Sequence, residues 1–275
     1  MELAEPATAD GRAGLVALIE APPRALVAVD FDGTLAPIVT DPADARAVTG
    51  AAEALSVLAA RIGTVAVVTG RPAEVAVELG GFADVPGLWV LGHYGLERWH
   101  AGSLDSPPPE PAVEHVRRLL AGVLAYAPEG VRIEDKLHSL VVHTRPTADP
   151  AGALAALQPQ LEQLASEAGL EAVPGRFAVE IRPSGVDKGS AFARLVRERD
   201  AHAVAFVGDD VGDLPAFAVV ESLRREAVPG LTVASVDPQV SDAPVELAQR
   251  ADLVLPGPAA VVRFLAALAA AIGDA

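Results

Sequence analysis

Six short apolar runs alternate with helical patterns along most of this chain, and that alternation leaves few architectures open. Residues 25–29, 64–68, 88–91, 203–207, 231–235 and 252–255 form runs of four or five residues, almost wholly apolar and rich in Val, Leu and Ala. Such runs fit strands covered on both faces, the mark of a parallel sheet. Between them lie helix candidates at 51–62, 72–79, 188–199, 213–223 and 243–251, the second with Pro72 at the permitted first position. The expected fold is a doubly wound α/β layer structure.

The middle of the chain breaks the rhythm. Residues 101–111 hold Gly102, Ser103, Ser106 and four prolines, which suit a linker and neither a helix nor a central strand. A helix at 112–125, strands at 131–135 and 139–144, a helix at 151–168 and strands at 170–173 and 177–181 follow, an αββαββ order. A second linker, 182–186, returns the chain to the parallel sheet. The expected organisation is therefore a core of residues 1–103 and 183–275 with a small α+β domain, 104–182, inserted into it.

Charge and composition narrow the function classes. The 275 residues carry 37 acidic and 21 basic groups, a net charge of −16, which disfavours nucleic acid and anionic membrane as partners. With no cysteine, thiolate chemistry and disulfides are excluded, and a cytoplasmic location is expected. The first 24 residues lack the basic start and apolar core of a signal peptide, and the Ala-rich stretch 256–273 contains Arg263 and reads as a terminal helix rather than a span. Only two basic residues are lysines, Lys136 and Lys188.

Chemistry concentrates at strand ends, where open α/β sheets bind ligands. Asp30 and Asp32 follow the first strand. Were it extended to Asp32, their carboxylates would project to one side with Cα atoms roughly 6.6 Å apart. Like charges that close call for a cation, and a hard divalent ion, Mg²⁺ above all, takes one or two carboxylates with water and phosphate oxygens. A second acidic cluster, Gly208-Asp209-Asp210-Val211-Gly212-Asp213, follows the fourth run, with Asp209 and Asp213 one helical turn apart. Thr69-Gly70-Arg71 offers a hydroxyl and backbone N–H groups at a third strand end, where an anion is favoured. Lys188 opens a helix behind Asp187, a place where a cation opposes the helix dipole at a cost of about 0.3–1 kcal/mol, which points to a site rather than to the fold. The six histidines give no i, i+4 pair, and no nucleophile elbow, dinucleotide fingerprint or Walker loop occurs.

Asp30-Phe31-Asp32-Gly33-Thr34, Thr69, Lys188 and the Gly208–Asp213 element resemble, in order, the four motifs of the haloacid dehalogenase superfamily of Mg²⁺ phosphatases, and the insertion resembles that superfamily's C2-type cap. Glu134-Asp135-Lys136 with His143 and Arg145, then Glu180-Ile181-Arg182-Pro183, resembles trehalose-6-phosphate phosphatases within it. Gly92–Glu97 resembles the family's Gly-Asn-His-Gly-Leu-Glu, with Tyr94 in place of histidine, and Gly212 and Leu214 stand where Thr and Glu are common.

The resemblance implies Mg²⁺ held by the Asp30 carboxylate, the Asp32 carbonyl and Asp209, with Asp213 in support. It implies a nucleophilic Asp30 that forms an aspartyl-phosphate, Asp32 as general acid and base, and Thr69 and Lys188 on the phosphoryl oxygens. Gly70, Arg71 and Tyr94 would meet the substrate in the core. Glu134 and Lys136, two apart and so on one strand face, would grip sugar hydroxyls with Glu180, and the cap would close over the pocket. The implied substrate is a small sugar phosphate, trehalose 6-phosphate, with a trehalose-6-phosphate synthase as functional partner. Other readings left open are another C2-capped sugar-phosphate phosphatase (sucrose phosphate or mannosyl phosphoglycerate), a phosphomutase and a catalytically silent sugar-phosphate-binding domain.

Overall fold

The computed structural model describes residues 3–175, 177–238 and 245–273. The chain divides into two compact units, one of residues up to Asp105 and from Asp187 onward, the other Ser106–Val186.

The first unit is built on strands β1 (Ala25–Val29), β2 (Thr64–Val68), β3 (Leu88–Gly92), β4 (Glu97–His100) and β5 (Ser103–Asp105). The chain later returns to it with β10 (Ala203–Gly208), β11 (Gly230–Ser235) and β12 (Leu253–Leu255). The sheet order is β12-β11-β10-β1-β2-β3-β4-β5, parallel from β12 to β3 and antiparallel beyond. Alternate residues of the central strands face two separate cores. Val27, Val29, Val65 and Val67 pack with α1 (Ala9–Glu20), α2 (Ala51–Ala59), α3 (Ala73–Gly80) and α9 (Pro258–Gly273). Leu26, Ala28, Val68 and Phe206 pack on the other face with α6 (Lys188–Glu198), α7 (Leu214–Arg225) and α8 (Val245–Arg250). Burying each such Leu or Phe contributes about 1.5–3 kcal/mol, so burial of both faces selects the unbroken apolar runs. The expected helix at 243–251 is seen from Val245; residues 243–244 lie outside the described residues. Among the described residues no helix is long and apolar enough to cross a membrane.

Two expectations for this unit need correction. Residues 101–111 are not all linker: β5 pairs with β4 through a two-residue turn, Ala101-Gly102, with both φ values positive (50° and 79°), the twist a tight hairpin needs. The first strand does not run to Asp32 either. It ends at Val29, and the chain turns through Phe31–Ala36, with hydrogen bonds from the N–H groups of Leu35 and Ala36 to the Phe31 carbonyl.

A buried polar knot ties the N-terminal helix to the sheet edge. Asp252, 2% exposed, accepts from the Thr8 hydroxyl, from Arg224, and from the N–H and hydroxyl of Thr232, both at 2.8 Å. Burial alone would raise its carboxyl, but the donors Thr8, Thr232 and Arg224 together hold it below its ordinary value. A carboxylate so held contributes stability above its unfolded pKa that is lost as pH falls through the folded one. Asp252→Ala leaves Arg224 without its carboxylate and is expected to cost about 3 kcal/mol at pH 7, measured by urea unfolding. A cost within error of zero would mean the knot is ornamental.

The second unit has α4 (Pro111–Val123), β6 (Arg132–Asp135), β7 (Leu140–His143), α5 (Pro150–Glu167), β8 (Leu170–Gly175) and β9 (Ala178–Pro183). Its antiparallel sheet runs β6-β7-β9-β8. Leu140, Val142, Val179 and Ile181 pack on both helices. β9 continues to Pro183, paired with Leu170, so the segment read as a second linker begins as strand.

Candidate active site

Register brings the chemistry together. β1 lies between β10 and β2, with Val29 level with Val207 and Val67, so Asp30, Asp209 and Thr69 leave neighbouring strands at one carboxyl edge. The chain departs from β1 toward β2 on one side and returns as β10 on the other, which makes this the switch point of the sheet.

Three carboxylates meet there. Oxygens of Asp30, Asp209 and Asp213 all lie within 4.8 Å of one another. Asp213 closes the short turn Val211–Asp213 rather than a full helical turn, and its Oδ2 accepts from the N–H groups of Asp209 (2.9 Å) and Asp210 (3.1 Å). Lys188 reaches in from the first turn of α6, which Asp187 and Ser190 cap reciprocally. Its Nζ is 2.8 Å from Asp213 Oδ1 and 2.9 Å from Asp30 Oδ2, and the residue is 6% exposed. Burial would lower the ammonium pKa, but Asp213 and Asp30 outweigh it and hold it well above its usual value. Burial pushes the Asp209 carboxyl up to about 10, helped by Asp30 and Asp213. Asp30 is raised well above the carboxylate range, by burial first and against the pull of Lys188; burial raises Asp213 too, also against Lys188.

These residues fit a divalent cation. Asp209 Oδ1 is buried without a hydrogen-bond partner. Its carboxylate also rests against Gly33, where an added Cβ would lie 1.9 Å from Asp209 Oδ2. One ammonium faces four carboxylates once Asp210, 4.0 Å from Lys188 Nζ, is included, an imbalance that two further positive charges would largely settle.

Asp32 stands apart from that cluster. Its carboxylate takes a fork from Arg71, Nε to Oδ2 and Nη2 to Oδ1, both 2.7 Å. The two motif carboxylates therefore do not share a cation through their side chains, because the strand ends before them and the turn re-aims the second. Thr69, 1% exposed, accepts from the Arg71 N–H through Oγ1 (3.1 Å). Gly70 lies under the Tyr94 ring, where a Cβ would be 2.7 Å from Tyr94 Oη. Beyond β3 the backbone takes three consecutive positive φ values, His93 47°, Tyr94 57° and Gly95 85°, and for the first two the left-handed region costs about 1–2 kcal/mol each. Glu97 was not singled out as a site residue from sequence, yet its buried carboxylate accepts from the Ala73 N–H at the start of α3 (2.8 Å). The only hint was its place in the Gly92–Glu97 segment.

In the second unit, pairing puts Glu134, Val141, Glu180 and Val173 in one row across the sheet, on the face away from the helices. Lys136 follows the end of β6, not within the strand as expected, but its N–H donates to the Ser139 carbonyl and carries the ladder one step on. Lys136 Nζ is 3.9 Å from Glu180 Oε1, which also accepts from the Ser139 hydroxyl (2.7 Å), and His143 Nε2 is 2.8 Å from Glu134 Oε2.

Residues 28–249 match the family model for trehalose-phosphatase. The chain belongs to the trehalose-phosphatase family. A trehalose-phosphate phosphatase of Mycobacterium avium (strain 104) is 34% identical over 213 residues, 73% of this chain and 52% of that one. The chain thus spans about half the length of such family relatives. Among solved structures, the C-terminal domain of trehalose-6-phosphate phosphatase from C. albicans superposes with a TM-score of 0.74 at 22% identity, covering 98% of this chain and 99% of the other. Trehalose-6-phosphate phosphatase from Aspergillus fumigatus gives 0.69 at 24%, covering 97% and 99%. The fold is that of the haloacid dehalogenase-like hydrolases.

Proposed function

We propose that this chain is a Mg²⁺-dependent phosphatase that hydrolyses trehalose 6-phosphate to trehalose and phosphate. The observation that carries the reading is Asp30, a buried carboxylate at the switch-point edge with an ammonium 2.9 Å away and a separately held second acid, Asp32, two residues on. Asp30 attacks phosphorus in line, its oxygen forming a P–O bond as the bond to the sugar oxygen breaks, so that one difficult step becomes two. Asp32 gives its proton to the departing alkoxide and then takes one from the water that cleaves the aspartyl-phosphate. Lys188, Thr69 and the backbone at Gly70 hold the phosphoryl oxygens, and Tyr94 borders them. Asp30, Asp209 and the carbonyl of Asp32, with Asp213 in support, would hold Mg²⁺, which when bound would supply positive charge against the carboxylates and the charge that builds on the phosphoryl group.

The Ser106–Val186 unit serves as the C2-type cap. Glu134 and Glu180 in its row, with the Lys136 ammonium 3.9 Å from Glu180, mix acceptors and a donor, as a polyhydroxyl ligand requires. A place in trehalose biosynthesis, supplied by a synthase that makes the ester, goes with that substrate, and a cytoplasmic location is proposed with it. Phosphate release from trehalose 6-phosphate, glucose 6-phosphate and sucrose 6-phosphate, with and without EDTA, is the test. Preference for the trehalose ester, lost in EDTA, is expected; background release from every ester would overturn the activity.

Metal binding carries its own pH signature. Carboxyls raised in the folded state bind protons that the unfolded chain has released, so stability is greatest below about pH 4 for these groups and is lost as pH rises toward about 10 for Asp209. The raised Lys188 acts in the same direction, its contribution present below the usual lysine pKa and lost only above it. Mg²⁺ competes with those protons. At one Mg²⁺ concentration its stabilisation is therefore expected to be larger at pH 8.5 than at pH 6, reaching about 2.7 kcal/mol where that concentration is a hundred times the dissociation constant. A shift independent of pH would place the ion elsewhere.

A further inference from the structure

We propose that Arg71 is a positioning residue for the acid–base carboxylate of Asp32, and that Glu97 with the left-handed arch at His93–Gly95 is the frame that holds Arg71. The proposal rests on the phosphatase reading above and assigns a role within it that the four superfamily motifs do not contain.

The frame can be followed atom by atom. Thr69 N–H donates to the Leu91 carbonyl (2.9 Å), continuing the β2–β3 ladder past the end of β2. The arch then returns two bonds to the same loop: Tyr94 N–H to the Thr69 carbonyl and His93 N–H to the Arg71 carbonyl, both 2.9 Å. Positive φ at His93 and Tyr94 aims two successive N–H groups at one segment, which an extended strand, alternating its N–H groups, cannot do. On the far side of Arg71, the Ala73 N–H is held by Glu97 Oε2. Gly92 makes that approach possible, since a Cβ there would lie 2.3 Å from the Ala73 nitrogen. The Arg71 main chain is thus fixed before and after its side chain leaves it.

That side chain passes over the Phe31 ring, 5.7 Å from its centroid, and ends in the two-bond fork on Asp32. A carboxylate bound once can still rotate about its χ torsion, whereas a planar guanidinium bound twice sets both its direction and its plane. Each carboxylate oxygen has two lone-pair positions, so the fork leaves capacity on both for a proton and a substrate oxygen. The arginine charge is spent on Asp32, and the phosphoryl group falls to Lys188, Thr69 and the loop backbone. Glu97 also takes the first N–H of α3, so that donor is held by a carboxylate of the protein itself.

Leaving-group dependence separates this role from direct phosphate binding. An alkyl ester departs as an alkoxide that must be protonated; p-nitrophenyl phosphate departs as a stable phenolate that need not be. Arg71→Lys keeps the charge and loses the fork, and Glu97→Gln keeps the size and loses the carboxylate. In single-turnover measurements with the best sugar phosphate of the wild-type chain, alcohol release is expected to slow about 100-fold in Arg71→Lys and about tenfold in Glu97→Gln. Nitrophenolate release should change less than about threefold in both, which also shows that the variants fold. Equal losses on the two esters would make Arg71 a phosphate ligand, and no loss on either would make the fork incidental; both overturn the proposal. A wild-type chain inert toward every ester overturns the phosphatase reading and this role with it. Activity on a sugar phosphate other than the trehalose ester overturns only the substrate, and the comparison of variants then decides the role of Arg71.

Discussion

Asp30→Asn is expected to reduce phosphate release by about 10⁴-fold or more while leaving the fold intact and, in EDTA, no less stable. The first half follows from the nucleophilic role proposed for it: an amide in place of the carboxylate is no nucleophile. The second follows from its surroundings. Asp30 is 3% exposed, within 4.8 Å of two other carboxylates, and burial raises its carboxyl well above the usual range. A carboxyl raised on folding costs the folded state more as pH rises, so removing it should help more at pH 8 than at pH 5. Asn retains an oxygen that can accept from Lys188, which keeps Asp213 at 2.8 Å. Phosphate release and thermal unfolding in EDTA at the two pH values check both halves. Substantial residual turnover would assign the nucleophile elsewhere, and a large loss of stability would make Asp30 a structural anion.

Legibility in the sequence followed the range of the interaction. Runs such as 25–29 and 203–207 were readable because burial on both faces demands unbroken apolar residues, a local pattern. Helix α1 was not, because Gly11 and Gly14 interrupt a weakly periodic stretch; yet a Cβ on Gly14 would lie 1.9 Å from the Gly230 carbonyl oxygen. The residues that weaken the helical signal are those that let the helix lie on β11. The β4–β5 hairpin was hidden by its turn, since Ala101-Gly102 lacks the Asn-Gly or Asp-Gly signature of left-handed two-residue loops. At the site, motif spacing placed Asp30, Asp209, Asp213, Thr69 and Lys188 at strand and helix ends. The partner of Asp32 was out of reach, because Arg71 is 39 residues away and only the turn after β1 aims one at the other. Glu97 was hidden for the same reason: an acid in a strand reads as solvent-facing until the helix start it caps is folded against it.

Lys188→Met should strongly destabilise the metal-free protein at pH 8. Methionine fills most of the volume, so the loss is of charge rather than of packing. Asp30, Asp209 and Asp213 then share a buried space without the ammonium now 2.8 Å and 2.9 Å from two of them. Breaking a buried pair in this way costs up to about 3–5 kcal/mol, with the size of the loss set by pH. These carboxyls are raised even with Lys188 present, by burial first; without it they rise further and take up protons at still higher pH. At pH 5 the cluster folds as neutral acids and the variant loses little, whereas at pH 8 the protons must be held against the solvent and the loss approaches the full figure. Mg²⁺ should restore part of the stability, since it would supply positive charge to the same oxygens, but not the turnover, since the ammonium proposed to hold the phosphoryl oxygens is gone. Removing one such stabilising group costs about 10²–10³ in rate. Urea unfolding at pH 5 and pH 8, with EDTA or Mg²⁺, measures the penalty and its recovery. A penalty equal at both pH values would mean that Lys188 acts through packing, and activity within tenfold of wild type would remove it from the phosphate site.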